Sequence, residues 1–236
     1  MAVLASLDRR ERIPELMDEP DIDPAAHRAA LAGLARINKL SLSANILWPP
    51  IQALAERNPG KTIRVLDFAT GSGDVPLSLW KRAKSAGIPL EVEGCDISST
   101  AIRNATENAR GCDVRYFTHD VIREPLHGRY DVVTCSLFLH HLAEPDALTV
   151  LRHMRDAARE LVLVNDLERS RLGYALAWIG TRVLSRSPVV RFDGPASVRS
   201  AFTPKESLAL AERAGLTGAK VGRRWPCRYL LSWRRR

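Results

Sequence analysis

Short apolar runs alternate with amphipathic stretches through the middle of the chain. Five such runs lie at residues 63–68, 90–97, 113–121, 130–136 and 160–165. They are shorter than ordinary helices and rich in aliphatic and aromatic residues, which is typical of buried strands. The stretches between them have helical spacing. Strands that alternate with helices favour a parallel sheet that is covered by helices on both faces.

The N-terminal quarter of the chain has a different pattern, because helix formers dominate residues 8–58. Residues 25–42 and 43–54 predict two helices, and Pro49-Pro50 stands where a further helix could begin. Asn58-Pro59-Gly60 predicts a boundary before the first strand. We therefore expect residues 1–58 to form a helical cap or lid.

The C-terminal third predicts an insert and the end of the sheet. The insert spans about 167–203, between the fifth strand and Thr203-Pro204, a pair typical of a helix start. The elements expected here are a helix at 172–184, a loop at 185–200, a helix from Thr203 to near Gly215, and strands at 219–225 and 228–233. Pro226 fits a tight antiparallel turn between the last two strands.

A glycine-rich turn follows the first strand, where residues 65–74 read VLDFATGSGD. A strand, a tight turn and a helix together present backbone N–H groups to a nucleotide-bearing cofactor. Gly71 and Gly73 have no side chain to keep a ligand away from the main chain. A dinucleotide fingerprint would have glycine where Pro76 stands, and Asp67 is foreign to it, so a nicotinamide oxidoreductase is disfavoured.

The pattern D-x-x-x-G-x-G instead resembles the first motif of class I S-adenosylmethionine (SAM) methyltransferases, with Ala69 in place of the first glycine. Asp96 and Asp120 then end the next two predicted strands. The resemblance covers about residues 60–166. This segment is similar to quinone-biosynthesis and natural-product methyltransferases. It implies an α/β, Rossmann-like, mostly parallel seven-stranded sheet with helices on both faces, an antiparallel C-terminal strand and the N-terminal cap. Residues 59–236 would form the methyltransferase domain.

The resemblance also implies which residues bind SAM and its product, S-adenosylhomocysteine. Those expected around the methionine part are Asp67, Ala69, Gly71 and Gly73, and Thr70 and Ser136 are further cofactor-binding candidates. Asp96 would hold the ribose and Ile97 would lie against the adenine. Asp120 would hold the adenine amine beside Val121. Each acid is also a plausible turn residue or helix N-cap.

Candidate catalytic residues follow the fourth and fifth strands. Ligands of open α/β sheets bind beyond the carboxyl ends of the strands, which selects His140, His141 and Asp166. Methyl transfer requires alignment of the reactants and removal of a proton from the acceptor. We expect His140 to be the general base, His141 to orient or pack, and Asp166 to hold the imidazole or take the proton. The alternative is a purely structural role, in which the two histidines cap the next helix or pack against it.

Apolar and aromatic residues near the same edge are candidates for contact with the acceptor. They are Trp48, Phe138, Trp178, Arg191 and Phe202, with Asn38 and Ser41 as further lid candidates. Such walls suit an aromatic or polyketide-type molecule, and Arg191 would meet a phenolate or carboxylate. Trp48 fits plain helix packing equally well, and a tryptophan on a helix, such as Trp178, is more often a core residue than a pocket residue.

Composition narrows the class of protein. The 236 residues carry a formal net charge of +8, but the arginines are spread along the chain and form a dense run only at the C-terminus, so we expect no nucleic-acid partner. Four scattered cysteines predict neither a disulfide framework nor a zinc site, and no apolar run is long enough for a membrane span. We therefore expect a cytoplasmic enzyme with reduced cysteines and no metal, which is a monomer or a homodimer.

These observations favour an enzyme that transfers the methyl group of SAM to a small molecule, most readily to a phenolic or other hydroxyl oxygen. Carbon methylation of a quinone or resorcinol-type ring remains open, because the same base would serve it. A nucleic-acid methyltransferase is disfavoured, since Cys135-Ser136-Leu137-Phe138 stands where enzymes that methylate base amines have an Asn/Asp-Pro-Pro-Tyr box. A non-catalytic SAM-binding protein is a further alternative.

Overall fold

A computed structural model describes residues 7–16, 43–126 and 130–235. Seven strands form one sheet in the order β3-β2-β1-β4-β5-β7-β6. Their bounds are β1 Ile63–Phe68, β2 Leu90–Asp96, β3 Val114–Thr118, β4 Tyr130–Ser136, β5 Ala158–Leu167, β6 Lys220–Arg224 and β7 Arg228–Arg234. Strand β7 is antiparallel to both neighbours, and the pairs among β1 to β5 are parallel. The predicted Rossmann-like sheet with an antiparallel C-terminal strand is confirmed.

Seven α-helices lie in the described part of the chain, and a 3₁₀ turn, Leu139–His141, precedes the fourth. The helices are α1 Ser43–Arg57, α2 Asp74–Ala86, α3 Ser99–Asn108, α4 Glu144–Ala157, α5 Arg171–Leu184, α6 Pro188–Ser200 and α7 Pro204–Arg213. Helix α7 begins with the predicted cap: Thr203 Oγ1 accepts from the Glu206 N–H while Glu206 accepts from the Thr203 N–H.

Buried residues on both faces of the sheet form two clusters, as the continuous apolar strands require. One cluster joins α4 and α7 to the sheet through residues such as Leu151 and Leu210, and the other joins α1 and α2 through Leu47 and Leu79. The strand order reverses between β1 and β4. Ligands of such folds bind at the carboxyl edge beside this reversal, where the glycine turn follows β1 and the histidines follow β4.

The structure corrects the predicted loop at residues 185–200, because α6 occupies most of it. Gly194 and Pro195 are poor helix formers and lie inside this helix. However, Val190, Ala196 and Val198 are buried where α6 packs against α5, and tertiary packing outweighs the weak local propensity.

The N-terminal prediction is partly wrong. Residues 11–15 form no helix. Instead the segment lies alongside α6 and bonds to it, for example from the Glu11 N–H to the Arg199 carbonyl at 3.3 Å. Helix α1 begins at Ser43 and continues through Pro49 and Pro50, so no helix begins there. Four large residues on one face of α1 are buried and hold it to the sheet: Ile46, Leu47, Ile51 and Leu54.

One N-terminal prediction is not tested, and the prediction about membrane spans is tested only for the described residues. The helix predicted at 25–42, with the lid candidates Asn38 and Ser41, lies outside the described residues. Within the described ranges, none of the helices is both long and apolar enough to cross a membrane.

Candidate active site

The turn after β1 has the backbone conformation that its glycines predict. Gly71 and Gly73 have φ of 55° and 79°, in the left-handed region, and Ala69 is also left-handed at 52°. The Thr70 N–H donates to the Cys95 carbonyl at 2.9 Å and ties the turn to β2. A left-handed residue with a Cβ is strained, and such strain is characteristic of functional turns. The position that carries glycine in the resembled family thus demands glycine geometry, and Ala69 tolerates it.

The two glycines have different surroundings. A Cβ on Gly73 would lie 2.6 Å from the Tyr116 hydroxyl oxygen and 2.9 Å from the Ala105 Cβ, whereas a Cβ on Gly71 would meet nothing within 4 Å. Gly73 is therefore required by protein packing. Gly71 keeps open a space on the outer side of the turn, and this space fits a ligand that approaches the backbone.

Asp67 lies beneath this turn and is 2% exposed. Burial raises the pKa of its carboxyl to about 7, with a small contribution from Asp96 in the same direction, although the hydrogen bond from Thr134 acts to lower it. Thr134 Oγ1 donates to the Asp67 carboxylate at 2.6 Å. Asp67 thus supports the turn from below and does not line its open side.

This buried carboxyl predicts a pH-dependent stability. Because its folded pKa is raised from 3.8 to about 7, the unfolded chain releases the proton first, and stability falls as pH rises between these values. The full penalty above pH 7 is on the order of 4 kcal/mol. We expect Asp67→Asn to raise the unfolding free energy at pH 8 by about 1–4 kcal/mol and to have little effect near pH 4. Urea unfolding at both pH values measures this.

Asp131 provides the matched control at the opposite edge of the sheet. Its side chain is 1% exposed, but it is paired with Lys61 at 2.9 Å. Asp131→Asn should therefore lower stability at pH 8, because it removes a buried charge that is paired with the Lys61 ammonium, which keeps only Glu160 at 3.2 Å. A loss of stability in Asp67→Asn as large as that in Asp131→Asn would contradict the proposed penalty.

The predicted ribose and adenine residues lie beside the turn. Asp96 accepts from the Gly71 and Ser98 N–H groups, both at 2.9 Å, so it fixes the turn while its carboxylate stays at the sheet edge. Ile97 is 67% exposed and offers an apolar surface there. Asp120 caps the next turn, since its Oδ1 accepts from the Ile122 N–H at 2.9 Å. Together with the open Gly71, these residues fit a nucleoside-bearing cofactor such as SAM.

Two further predicted cofactor residues are partly or fully covered. Val121 is 5% exposed and packs in the main core cluster, so little of its side chain is accessible to a ligand. Ser136 ends β4 next to Asn165 of β5, whose Nδ2 lies 3.5 Å from the serine hydroxyl. The following residue, Leu137, has a left-handed φ of 55°. A non-glycine residue with a left-handed backbone therefore follows each of β1 and β4, the two strands at the reversal.

The two predicted catalytic residues from β4 and β5 meet. His140 lies in the 3₁₀ turn, and its Nδ1 is 2.6 Å from Asp166 Oδ1, while its backbone N–H donates to Asp166 Oδ2 at 3.1 Å. They are 3% and 1% exposed. Burial alone would raise the pKa of Asp166. The charge of His140 and its hydrogen bond lower this pKa by more than burial raises it, so the net pKa is below the ordinary value. Asp166 is thus held as a carboxylate that orients the imidazole.

An N-terminal segment closes the other side of the histidines, and sequence reasoning missed it. The Arg10 guanidinium donates to the His140 and Leu142 carbonyls at 3.0 and 2.6 Å. Glu15 Oε1 lies 3.8 Å from His140 Nε2 and 3.9 Å from His141 Nδ1. No local motif marks residues 7–16, and the only available signal was a cluster of acids near the chain start that sequence alone does not connect to His140.

Of the predicted acceptor residues, the structure brings only Phe138 next to the histidines, at the start of the 3₁₀ turn. Phe202 is 3% exposed beneath Arg10, whose guanidinium lies 3.7 Å from the ring centroid, so it serves as core. Arg191 donates to the Ser185 and Arg182 carbonyls at the end of α5. This capping of a helix C-terminus replaces the predicted contact with a phenolate.

The two tryptophans also lie elsewhere. Trp48 borders a groove with Lys81 and Ser85 of α2, a helix that runs away from the carboxyl edge of the sheet. Trp178 is 46% exposed on α5, with the Arg182 guanidinium 3.9 Å from its ring centroid. Both positions correspond to helix-surface packing, and neither is brought together with His140.

Comparisons with known proteins agree with this geometry. A family model described as "Methyltransferase domain" matches residues 65–160. The ubiquinone biosynthesis O-methyltransferase of Burkholderia ambifaria is 26% identical over 172 residues, which cover 69% of this chain and 71% of that protein. The demethylmenaquinone methyltransferase of Thermus thermophilus is 34% identical over 110 residues, 44% of this chain and 47% of that protein.

Solved structures share the fold. A plantazolicin methyltransferase in complex with a pentazolic desmethylPZN analogue and S-adenosylhomocysteine (SAH) superposes with a TM-score of 0.69 at 14% identity and covers 100% of this chain and 98% of that one. Magnesium protoporphyrin IX methyltransferase from Synechocystis, with bound SAH, gives 0.57 at 17% identity, with 92% and 90% covered. At these identities the likeness shows the architecture alone.

Proposed function

We propose that this chain, whose residues 65–160 match a methyltransferase domain, transfers the methyl group of SAM to a phenolic or other hydroxyl oxygen of a small aromatic molecule. The observation that carries the proposal is the buried His140–Asp166 pair, which lies at the carboxyl edge of β4 and β5 beside the glycine turn of β1. The similarity to a ubiquinone biosynthesis O-methyltransferase supports oxygen as the acceptor atom.

The pair fixes which nitrogen of His140 is basic. Since the ionised Asp166 accepts at 2.6 Å, Nδ1 carries the hydrogen of that bond, and the Nε2 of the neutral ring then holds the lone pair. The backbone bond to Asp166 and the Arg10 bond to the His140 carbonyl hold the turn in place. A fixed tautomer and a fixed ring direction are what a general base requires.

The proposed reaction needs one proton acceptor from the protein. When bound, SAM supplies a methyl carbon on a positively charged sulfur, and this carbon–sulfur bond breaks as the acceptor oxygen forms its bond to the carbon, which leaves SAH. His140 Nε2 takes the hydroxyl proton in the same step. Asp166 and, at 3.8 Å, Glu15 stabilise the imidazolium that forms. Phe138 and His141 provide the adjoining wall for an aromatic ring.

Carbon methylation of a quinone or resorcinol-type ring is the second candidate, favoured by the similarity to a demethylmenaquinone methyltransferase over 110 residues. His140 would then remove a proton from a hydroxyl so that the ring carbon becomes the nucleophile. The two reactions give different products from one acceptor, because a methoxy group and a ring methyl group have different fragment masses.

A screen with radiolabelled methyl groups tests the proposed function. The full chain is incubated with labelled SAM and a panel of phenols, catechols, quinols and alkylresorcinols, with RNA and DNA in parallel, and products are identified by mass spectrometry. We expect transfer to a hydroxyl oxygen of at least one phenolic class, with loss of transfer in Asp166→Asn. Labelled product on RNA or DNA only, or SAM binding with no transfer to the panel, would contradict the proposal.

A further inference from the structure

A carboxylate and two imidazoles converge beside the proposed base. Glu15, His140 and His141 each offer one ligand atom, a carboxylate oxygen or an imidazole nitrogen, and these three atoms lie within 4.8 Å of one another. Among the described residues this is the only such group of three His, Cys, Asp or Glu side chains. Their side chains are 11%, 4% and 28% exposed, so the cluster is largely closed to solvent but accessible on the His141 side.

The spacing of these atoms is too wide for hydrogen bonds and suits a bridging atom. Glu15 Oε1 is 3.8 Å from His140 Nε2 and 3.9 Å from His141 Nδ1, beyond hydrogen-bond range. Tetrahedral ligands that are each about 2.0–2.1 Å from a zinc ion are about 3.3 Å from one another. Glu15 Oε1 therefore needs to approach each imidazole nitrogen by only about half an ångström for the three side chains to share an ion.

The residues around the cluster have the arrangement of a metal centre. Two imidazole nitrogens and one carboxylate oxygen suit Zn²⁺ and similar divalent transition metals. Asp166 holds His140 Nδ1 at 2.6 Å and so directs the lone pair of Nε2 into the cluster, as carboxylates behind metal-binding histidines do. Ser197 Oγ donates to Glu15 Oε1 and fixes that carboxylate.

We propose that Glu15, His140 and His141 form a binding site for a divalent transition-metal ion such as Zn²⁺. The consequence for catalysis rests on the proposed function: the ion takes the lone pair of His140 Nε2 that the base requires, and so it inhibits methyl transfer. The open side of the site, at His141, admits the ion and leaves a position for water. Binding itself does not depend on the identity of the acceptor.

Zinc titration of the chelator-treated full chain tests binding directly. Calorimetry should show one Zn²⁺ per chain, and Glu15→Gln and His141→Asn should each weaken the affinity at least about tenfold, because each removes a ligand. The matched control is His119→Asn, since His119 Nδ1 lies 3.6 Å from Glu124 Oε2 but has no third ligand. Equal affinity in wild type and Glu15→Gln, or a loss confined to His119→Asn, would overturn the site.

Co²⁺ provides a readout on the wild-type protein, which does not require that the Glu15 and His141 variants fold. The wild-type complex should show ligand-field absorption bands without a thiolate charge-transfer band, and Cys112→Ser/Cys227→Ser should leave the spectrum unchanged. These two cysteines are partly exposed and are the alternative zinc ligands in the described part of the chain. A thiolate band that disappears in the double variant would assign the ion to the cysteines and refute the proposal.

Turnover separates the site from its consequence. With an acceptor from the phenol screen, Zn²⁺ at ten times its dissociation constant should remove about nine-tenths of the transfer rate, and EDTA should restore it. In Glu15→Gln the inhibiting concentration should rise by the same factor as the dissociation constant. Full turnover with saturating Zn²⁺ would refute the inhibition, whereas zinc binding with no transfer under any condition would refute the proposed function alone.

Discussion

Replacement of His140 by Ala should lower kcat by about 10²–10⁴-fold and leave the affinity for SAM nearly unchanged. The reason is that Nε2 is the proton acceptor, whereas the cofactor turn lies on β1 and β2 and shares no hydrogen bond with His140. Steady-state kinetics gives kcat, and calorimetry in the presence of chelator gives the SAM dissociation constant.

Loss of the ring leaves the buried Asp166 without a partner, so a second variant guards against misfolding. In His140→Asn the side-chain amide can still donate to Asp166, but no group replaces Nε2. It should fold like wild type and show the same loss of kcat. His153→Gln is the control, because among the described residues His153 bonds to the Val121 carbonyl and has no contact with His140 or Asp166, and its kcat should stay within about twofold. Full turnover in His140→Asn would remove His140 from the mechanism.

Gly71→Val should abolish SAM binding while the protein stays folded. A Cβ at this position meets no protein atom within 4 Å, so added methyl groups enter the space on the open side of the turn, where the ligand approaches. The left-handed φ of 55° adds strain of about 1–2 kcal/mol. Calorimetry measures the affinity, and thermal unfolding measures the stability.

Two other glycines separate the loss of binding from backbone strain. Gly87 ends α2 with a φ of 67°, and a Cβ there also meets nothing within 4 Å, so Gly87→Ala should cost about 1–2 kcal/mol of stability and leave SAM affinity unchanged. Gly73→Ala should destabilise more, because its Cβ would lie 2.6 Å from the Tyr116 hydroxyl oxygen. Unchanged SAM affinity in Gly71→Val would exclude the β1 turn as the cofactor site.

The central sheet was predictable because its strands are short, apolar and bounded by turn residues. The predicted strands at 63–68 and 130–136 agree with the observed bounds of β1 and β4. Helix α6 was not predictable from local signals, since Gly194 and Pro195 lie inside it and only packing on α5 explains it. Helix α1 continues through two prolines for the same reason. Burial against a neighbour decides these elements, and a single sequence does not show which neighbour that is.

The site was predictable to the extent that it lies at strand ends. Asp96, His140 and Asp166 were selected because parallel strands bring their carboxyl ends to one edge, and the His140–Asp166 contact follows from adjacent β4 and β5. Glu15 and Arg10 were missed because their contacts join residues more than a hundred positions apart. Arg191 and Phe202 were misplaced because a pattern of polar and aromatic residues does not distinguish a pocket wall from a helix cap or a core position.

The histidine turn is completed by a segment from the other end of the chain, and this affects the order of events during synthesis. Arg10 contacts the Ser200 carbonyl across 190 positions, and Leu16 contacts Asp193 across 177. Residues 7–16 therefore leave the ribosome long before α6 exists to receive them. Contacts with such sequence separation form slowly. A nascent chain should consequently acquire its cofactor turn first and its enclosed base only near the end of translation.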